Sequence, residues 1–475
     1  AYAAPVLSSH PSASATLYLD FDGHYVSSSM WNYGTAFTCD PAAMTDVQIT
    51  EVFNRVAEDF RPFNINVTTD INTFLAAPIS MRVRIVITPT SSWYAGVAGI
   101  AYVGSFTWGD DTPAFAFSDR LYNDPKRVAE AVSHESGHTV GLSHQALYNS
   151  TCGLLSSYNS GTGFGETGWA PIMGNGVSRN VTQWNYGPTP NGCTSVQDNL
   201  KIITTNNGFG YRTDDYTSAH VIGISSNYYS RTGIVSTTSD QDIFRFDLGQ
   251  NGQFTAVVRP FAVGANNSGA NLDIKLTLQN ANGTTIAVYD YKDSLHARLD
   301  TLLNAGTYFL VIDGSGSVNS TNDYGSLGSY ALEGYYSGTT TTSSTVTSPT
   351  TDTTTTTTAP TSPTTTTKGK GGGGTTTSGG GGKKKETNAS ITNITSTDES
   401  GNKIFRIIKQ VQQPIVVIAA EQYDYQIFDN NGRIIMTGKA GAGSKAFDLR
   451  SQPAGIYNIR LLNPKEQKTD RFLNK

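Results

Sequence analysis

Residues 16–21 (Thr-Leu-Tyr-Leu-Asp-Phe) alternate like a strand and stop at the Asp22-Gly23 turn signal. The period then lengthens. Between residues 45 and 61, Val47, Ile49, Val52, Phe53, Val56 and Phe60 fall at helical spacing, with Thr45 or Asp46 able to cap the start and Pro62 closing the run. Residues 64–68, 82–88, 99–103 and 114–117 return to short strand-like runs, the second of them strongly β-branched. Asp124-Pro125 opens a second helix, with Asp124 as cap, Pro125 at the first helical position, and Val128 and Val132 facing the core. The predicted order is strand, helix, four strands, helix.

From residue 206 to 338 the texture is one of brief apolar runs between turns. Residues 242–248 and 272–278 alternate, the second run leads to an Asn282-Gly283 turn and a return at 286–289, and residues 306–312 and 329–332 are further strands. Such spacing predicts a β-sandwich. Residues 339–386 are threonine, glycine and lysine with serine and proline, which cannot bury a core and read as an extended linker, open to glycosylation. Strand texture resumes over 387–475, with a hairpin candidate at 425–435 and a run at 453–461. The expected fold class is multidomain: an α/β domain (mixed sheet plus the helix that Asp124-Pro125 opens) over 1–205, then two all-β sandwich domains at 206–338 and 387–475.

Composition changes this picture little. Hydrophobic content of 37%, charged content of 15%, 48 glycines and 24 tyrosines suit a β-rich chain. A net charge of −5 excludes a nucleic-acid partner as the expectation, and no apolar run approaches the ~20 residues of a transmembrane helix. The chain starts at Ala1 without a signal-peptide pattern, so a targeting segment is expected to have been removed or omitted. The three cysteines, Cys39, Cys152 and Cys193, show no metal-binding spacing. Cys152 and Cys193 share one stretch and are expected to pair. Cys39 is left as a buried thiol or as a reactive thiolate that could ligate a metal elsewhere in the chain in a latent form.

The chemistry concentrates in His134-Glu135-Ser136-Gly137-His138-Thr139-Val140-Gly141-Leu142-Ser143-His144, where three of the chain's seven histidines lie. On a helix His134 and His138 leave the same face, a natural bite for Zn2+. Glu135 lies beside the first ligand, placed to take a proton from a metal-bound water rather than to bind the metal. Gly141 can turn the chain back and bring in His144 as third ligand, which leaves the fourth position open, the catalytic form of a zinc site.

The motif resembles that of the metzincin metallopeptidases, and the resemblance covers about residues 15–205. It implies a Met-turn beneath the zinc, for which Met173 in Pro171-Ile172-Met173-Gly174 is the candidate. It also implies an antiparallel edge strand over the cleft, matching 99–105, that binds an extended substrate through its backbone. Gln145 follows the third histidine, and Asn175 stands where some branches place a tyrosine, so neither assigns a branch. Asp110-Asp111 and the Asp20/Asp22 pair are candidates for Ca2+ or for solvated turn carboxylates. Residues 206–338 resemble the pre-peptidase C-terminal domain, on Asp240-Gln241-Asp242-Ile243-Phe244, Asn271-Leu272-Asp273, Ala305-Gly306-Thr307-Tyr308 and Gly328-Ser329-Tyr330. Residues 387–475 resemble the C-terminal sorting domain of type IX secretion in Bacteroidetes.

These resemblances imply a secreted, extracellular zinc metalloendopeptidase acting on protein or glycoprotein substrates, its tail read by a secretion machinery. The alternative is a non-catalytic surface or adhesion protein built from β-sandwiches.

Overall fold

The computed structural model describes residues 4–224, 227–320, 322–338 and, within 392–474, eight strands and parts of their connections. The predicted linker at 339–386 lies outside the described residues. The chain divides into two compact units, Ala1–Pro349 and Thr350–Lys475. It is mostly β-structure distributed over several sheets, with four α-helices among the described residues.

In the first unit, β1 (Ala15–Asp20), β2 (Ile65–Thr68), β3 (Arg82–Thr88), β4 (Gly99–Ile100) and β5 (Ala114–Phe117) form one sheet in the order β2-β1-β3-β5-β4. Three of its pairings are parallel, and β4 runs antiparallel at the edge. Strands β1, β2 and β5 are buried along their whole length, which explains their apolar runs. Helix α1 (Asp46–Asp59) packs on this sheet, and of the two candidate caps Thr45 is the one used, forming a capping box with Gln48. Next come α2 (Ile71–Ala76), α3 (Pro125–Thr139), which carries the histidine motif, and α4 (Asn199–Asn206).

The predicted strand at 99–103 is shorter than expected. Pairing ends after Ile100, and Gly104, at φ +79°, turns its N–H to the His138 carbonyl at 2.9 Å. A last-turn carbonyl of the neighbouring helix, which also accepts the Gly141 N–H at 2.9 Å, therefore takes the segment out of the sheet.

Residues 220–338 make two facing sheets of five and four antiparallel-rich strands. Three strands that the pattern did not mark, at Tyr228–Val235, Gly252–Pro260 and Ala297–Leu303, belong to the second of them. Helix α4 runs across the expected boundary at 205/206, and one hydrophobic cluster joins Phe60, Met173 and Trp184 to Phe244, Leu272 and Leu327. In the second unit, eight strands form two four-stranded sheets around a separate cluster that includes Val417, Ile427, Ile459 and Leu461.

Candidate functional site

Helix α3 starts where Asp124 accepts the Arg127 N–H at 2.9 Å with Pro125 at its first position. It ends in a Schellman turn. Gly141, at φ +102°, donates to the His138 carbonyl at 2.9 Å, and Leu142 donates to Gly137 at 3.0 Å. That reversal brings His144 back toward the helix. It is held there because Gln197 grips both backbone groups of Ser143, at 2.8 and 2.9 Å. Gln145 N–H also donates to the Met173 carbonyl at 2.8 Å.

One nitrogen from each of His134, His138 and His144 lies within 4.8 Å of the other two. The Nε2 atoms of His138 and His144 are 3.1 Å apart. The Nδ1 of His134 lies 2.8 Å from the Ile172 carbonyl, and the Nδ1 of His138 lies 2.7 Å from that of Leu142. A carbonyl can only accept, so both Nδ1 atoms carry the proton and both Nε2 lone pairs point bare into the cleft. Burial, with neighbouring histidines adding to it, pushes His134 down to about 3 and His144 to about 4, and burial lowers His138 as well. The three rings are thus neutral at ordinary pH. Converging bare nitrogens repel unless a cation sits among them, and tetrahedral zinc with Zn–N of about 2.0–2.1 Å sets its ligands about 3.3 Å apart. The donor set fits such an ion.

Glu135 is 7% exposed, and burial alone pushes its carboxyl up to about 8. It lies against the edge strand so closely that a Cβ on Gly99 would sit 2.7 Å from its Cγ and Oε1. Met173 is fully buried under the helix, and a Cβ on Gly137 would come within 2.3 Å of its Sδ. The glycine inside the motif is what lets the two elements approach. These groups open into a cleft of about 550 Å³, walled by β4 and residues 96–98 on one side and by Ile172 and residues 174–177 on the other.

Cys152 and Cys193 are bonded, with Cα atoms 5.5 Å apart, and so tie the loop after His144 to the hairpin that carries Gln197. Cys39 is elsewhere. It is buried on the hairpin beside β3, its thiol is pushed up to about 12 by burial, and it is not in the histidine cluster, so the latent-ligand reading is set aside.

The carboxylates that were candidates for calcium or for solvated turns have protein partners. Asp111 pairs with Arg82 at 2.7 Å, Asp20 pairs with Arg84, and Asp22 accepts the Ala4 N–H at 2.9 Å. A different acidic group gathers Asp214, Asp215 and Asp242. Asp242 is fully buried, and its Oδ2 accepts the Tyr330 hydroxyl at 2.6 Å while its Oδ1 has no protein partner. Burial, opposed by that hydrogen bond and reinforced by Asp215, Asp240 and Asp214, pushes Asp242 up to about 8.

Sequence reasoning missed Tyr158. Its ring lies 4.3 Å from that of His144, it lines the cleft, and burial together with the Glu135 charge raises its hydroxyl pKa. No spacing rule pointed to it, because it precedes the Met-turn in a loop of small polar residues. Tyr186, the next tyrosine after the Met173 turn, is 59% exposed and sits beside Tyr324, away from the cleft lining.

No family model matches the chain, and no curated protein matches it. Among solved structures, similarity is found to the pre-peptidase C-terminal domain of a Bacillus anthracis collagenase, at 14% identity over 25% of this chain and 95% of that one, with a TM-score of 0.18. A periplasmic inhibitor of g-type lysozyme from Aeromonas hydrophila matches at 11% identity over 25% of this chain and 96% of that one, with a TM-score of 0.19. A β-glucuronidase from Ruminococcus gnavus matches at 8% identity over 52% of this chain, with a TM-score of 0.18, and the chain spans 36% of its length. Among the described residues no helix is long and apolar enough to cross a membrane.

Proposed function

We propose that the chain is a secreted zinc-dependent metalloendopeptidase of the metzincin type that hydrolyses peptide bonds of extracellular proteins or glycoproteins. The observation that carries this reading is the convergence of three neutral imidazoles, two of them aimed by backbone carbonyls, on one point beside Glu135. Zinc held there supplies a Lewis acid that acidifies water and polarises a carbonyl. Glu135 acts as the general base toward the attacking water and then passes the proton to the leaving amine. The free edge of β4 offers backbone donors and acceptors to an extended substrate, a few ångströms from Glu135. The Tyr158 hydroxyl donates a hydrogen bond to the oxygen on which charge develops. The Cys152–Cys193 bond supports an oxidising, extracellular setting.

Glu135→Ala tests the mechanism. The variant keeps about one zinc per chain, as measured by metal analysis, and loses casein digestion, which a chelator abolishes in the parent chain. Full activity in the variant would sink the base assignment. A parent chain that binds zinc yet cuts nothing would favour the adhesion reading.

Calcium, for which Asp110-Asp111 and Asp20/Asp22 were the sequence candidates, is proposed instead at Asp214, Asp215 and Asp242, because a buried carboxylate oxygen without a partner is costly unless a cation meets it. Calcium added to chelated protein then raises the thermal midpoint, and Asp242→Asn removes the response. An identical midpoint with and without calcium in the parent chain would exclude the site. Residues 387–475 are assigned as a type IX sorting domain, with the secretion machinery as partner.

A further inference from the structure

Helix α1 ends at Asp59, which is 6% exposed and lies where the sheet domain meets the β-sandwich. Its Oδ2 accepts the Ser133 hydroxyl at 2.5 Å, and Ser133 is the residue before His134. Its Oδ1 accepts the Asn271 side-chain N–H at 2.7 Å, and Asn271 belongs to the sandwich. From Asn271 a second path runs the other way. The main-chain carbonyl of Asn271 accepts Gln183 Nε2 at 2.5 Å, the main-chain carbonyl of Gln183 accepts the Ile172 N–H at 2.9 Å, and the Ile172 carbonyl is the partner that orients His134 Nδ1. One sandwich residue is therefore joined to both sides of His134, once through the helix that carries the ring and once through the turn that aims it.

The path is buried throughout: Ser133 is 0% exposed, Gln183 4% and Asn271 5%. In such surroundings each hydrogen bond is strong, and a group that loses its partner pays the full desolvation cost. Removing the Asn271 amide would leave Asp59 a buried carboxyl already pressed by Glu130 and Glu58, with Ser133 as its remaining side-chain donor. Asp59 would then shift or drag Ser133, and the His134 ring would move with it.

We propose that Asn271 of the β-sandwich is a positioning residue for the metal-binding histidines, its side chain acting on His134 through Asp59 and Ser133 while its main-chain carbonyl braces the opposite side through Gln183 and Ile172. This rests on the zinc reading. It makes the sandwich part of the catalytic machinery's frame and not a detachable module.

The experiment uses the full chain with Co2+ as spectroscopic probe of the histidine site. Asn271→Ala is expected to bind Co2+ about three- to tenfold more weakly, somewhat less than loss of a direct ligand partner produces, and to change the visible absorption of the bound ion. With zinc it should lower kcat while KM holds. The exchange Asp59→Asn with Asn271→Asp keeps a donor–acceptor pair between the two side chains and should restore affinity and spectrum. A folded Asn271→Ala chain with parental Co2+ affinity and absorption overturns the proposal. If that variant does not fold, the exchange variant decides: parental Co2+ binding supports the relay, while a perturbed site or an unfolded chain counts against it. A parent chain that takes up no Co2+ refutes the zinc reading itself, an outcome distinct from an unchanged variant.

Discussion

Tyr158 is the residue whose role turns on one atom. Its ring is packed on His144, so the side chain would stay in place without the hydroxyl, and its raised pKa keeps that hydroxyl protonated and able to donate. Tyr158→Phe is therefore expected to lower kcat by about 10²-fold, the usual cost of losing one oxyanion donor, with KM and zinc content nearly unchanged. Steady-state kinetics on one peptide decide it, and an unaltered kcat would make the ring a packing element only. The contrast with the histidines shows what a chain reveals of its site. His134, Glu135, His138, Gly141 and His144 were legible because helix periodicity and one glycine turn place them, all within eleven residues. Met173 was legible only through resemblance. Tyr158 reaches the site by a loop fold, and Asn271 stands 212 residues from Asp59, so no local pattern carries either.

Among the elements, caps and buried runs were readable and edges were not. Thr45, Asp124 and Pro125 mark the starts of α1 and α3 because capping is local chemistry. Strand β4 was overestimated because its end is set by a tertiary hydrogen bond from Gly104 to the neighbouring helix. Gly252–Pro260 alternates in burial, yet Gly252 and Ala256 at buried positions weaken the contrast on which the pattern depends. The junction of α1 with α3 yields a pH prediction. Burial, with Glu130 adding to it, pushes Asp59 up to about 8 from an ordinary value of 3.8, despite the hydrogen bonds from Ser133 and Asn271. A folded-state pKa raised above the unfolded one means the folded chain binds the extra proton. This contribution to stability is full below about pH 4 and is lost as pH rises through about 8. Between those limits the parent chain should lose stability relative to Asp59→Asn at a slope of up to about 1.4 kcal/mol per pH unit. Urea unfolding of both chains at pH 5, 6.5 and 8 measures the difference. Parallel curves would show that Asp59 is ionised in the fold at much lower pH.

For the whole molecule the question is which parts the proposed activity needs. The first unit holds the histidine site, the Met173 turn and the sandwich, and a single hydrophobic cluster runs through all three. The sheet domain and the sandwich are also joined by polar contacts in which sandwich groups donate to buried or half-buried glutamates. Glu58 accepts from Ser329 N–H at 2.6 Å, and Glu166 accepts from Leu295 N–H at 2.8 Å and Ser294 Oγ at 2.6 Å. The second unit has its own sheets and its own core. A chain ending near residue 340 should therefore fold and cut casein within roughly twofold of the full chain, as expected when a separately cored part is removed. A chain ending at residue 205 should not, because it uncovers Phe60 and Trp184 and strips Asp59 and Glu58 of their sandwich partners. Under the sorting role proposed for the tail, the composition of residues 339–386 makes that stretch the natural place for cleavage after export, so the form recovered from the cell surface or medium should lack residues 387–475. Intact mass of the recovered protein and activity of the two shortened chains are the measurements. An intact Lys475 terminus, or an inactive chain ending near residue 340, would turn the assignment of the tail from sorting to a working adhesion module.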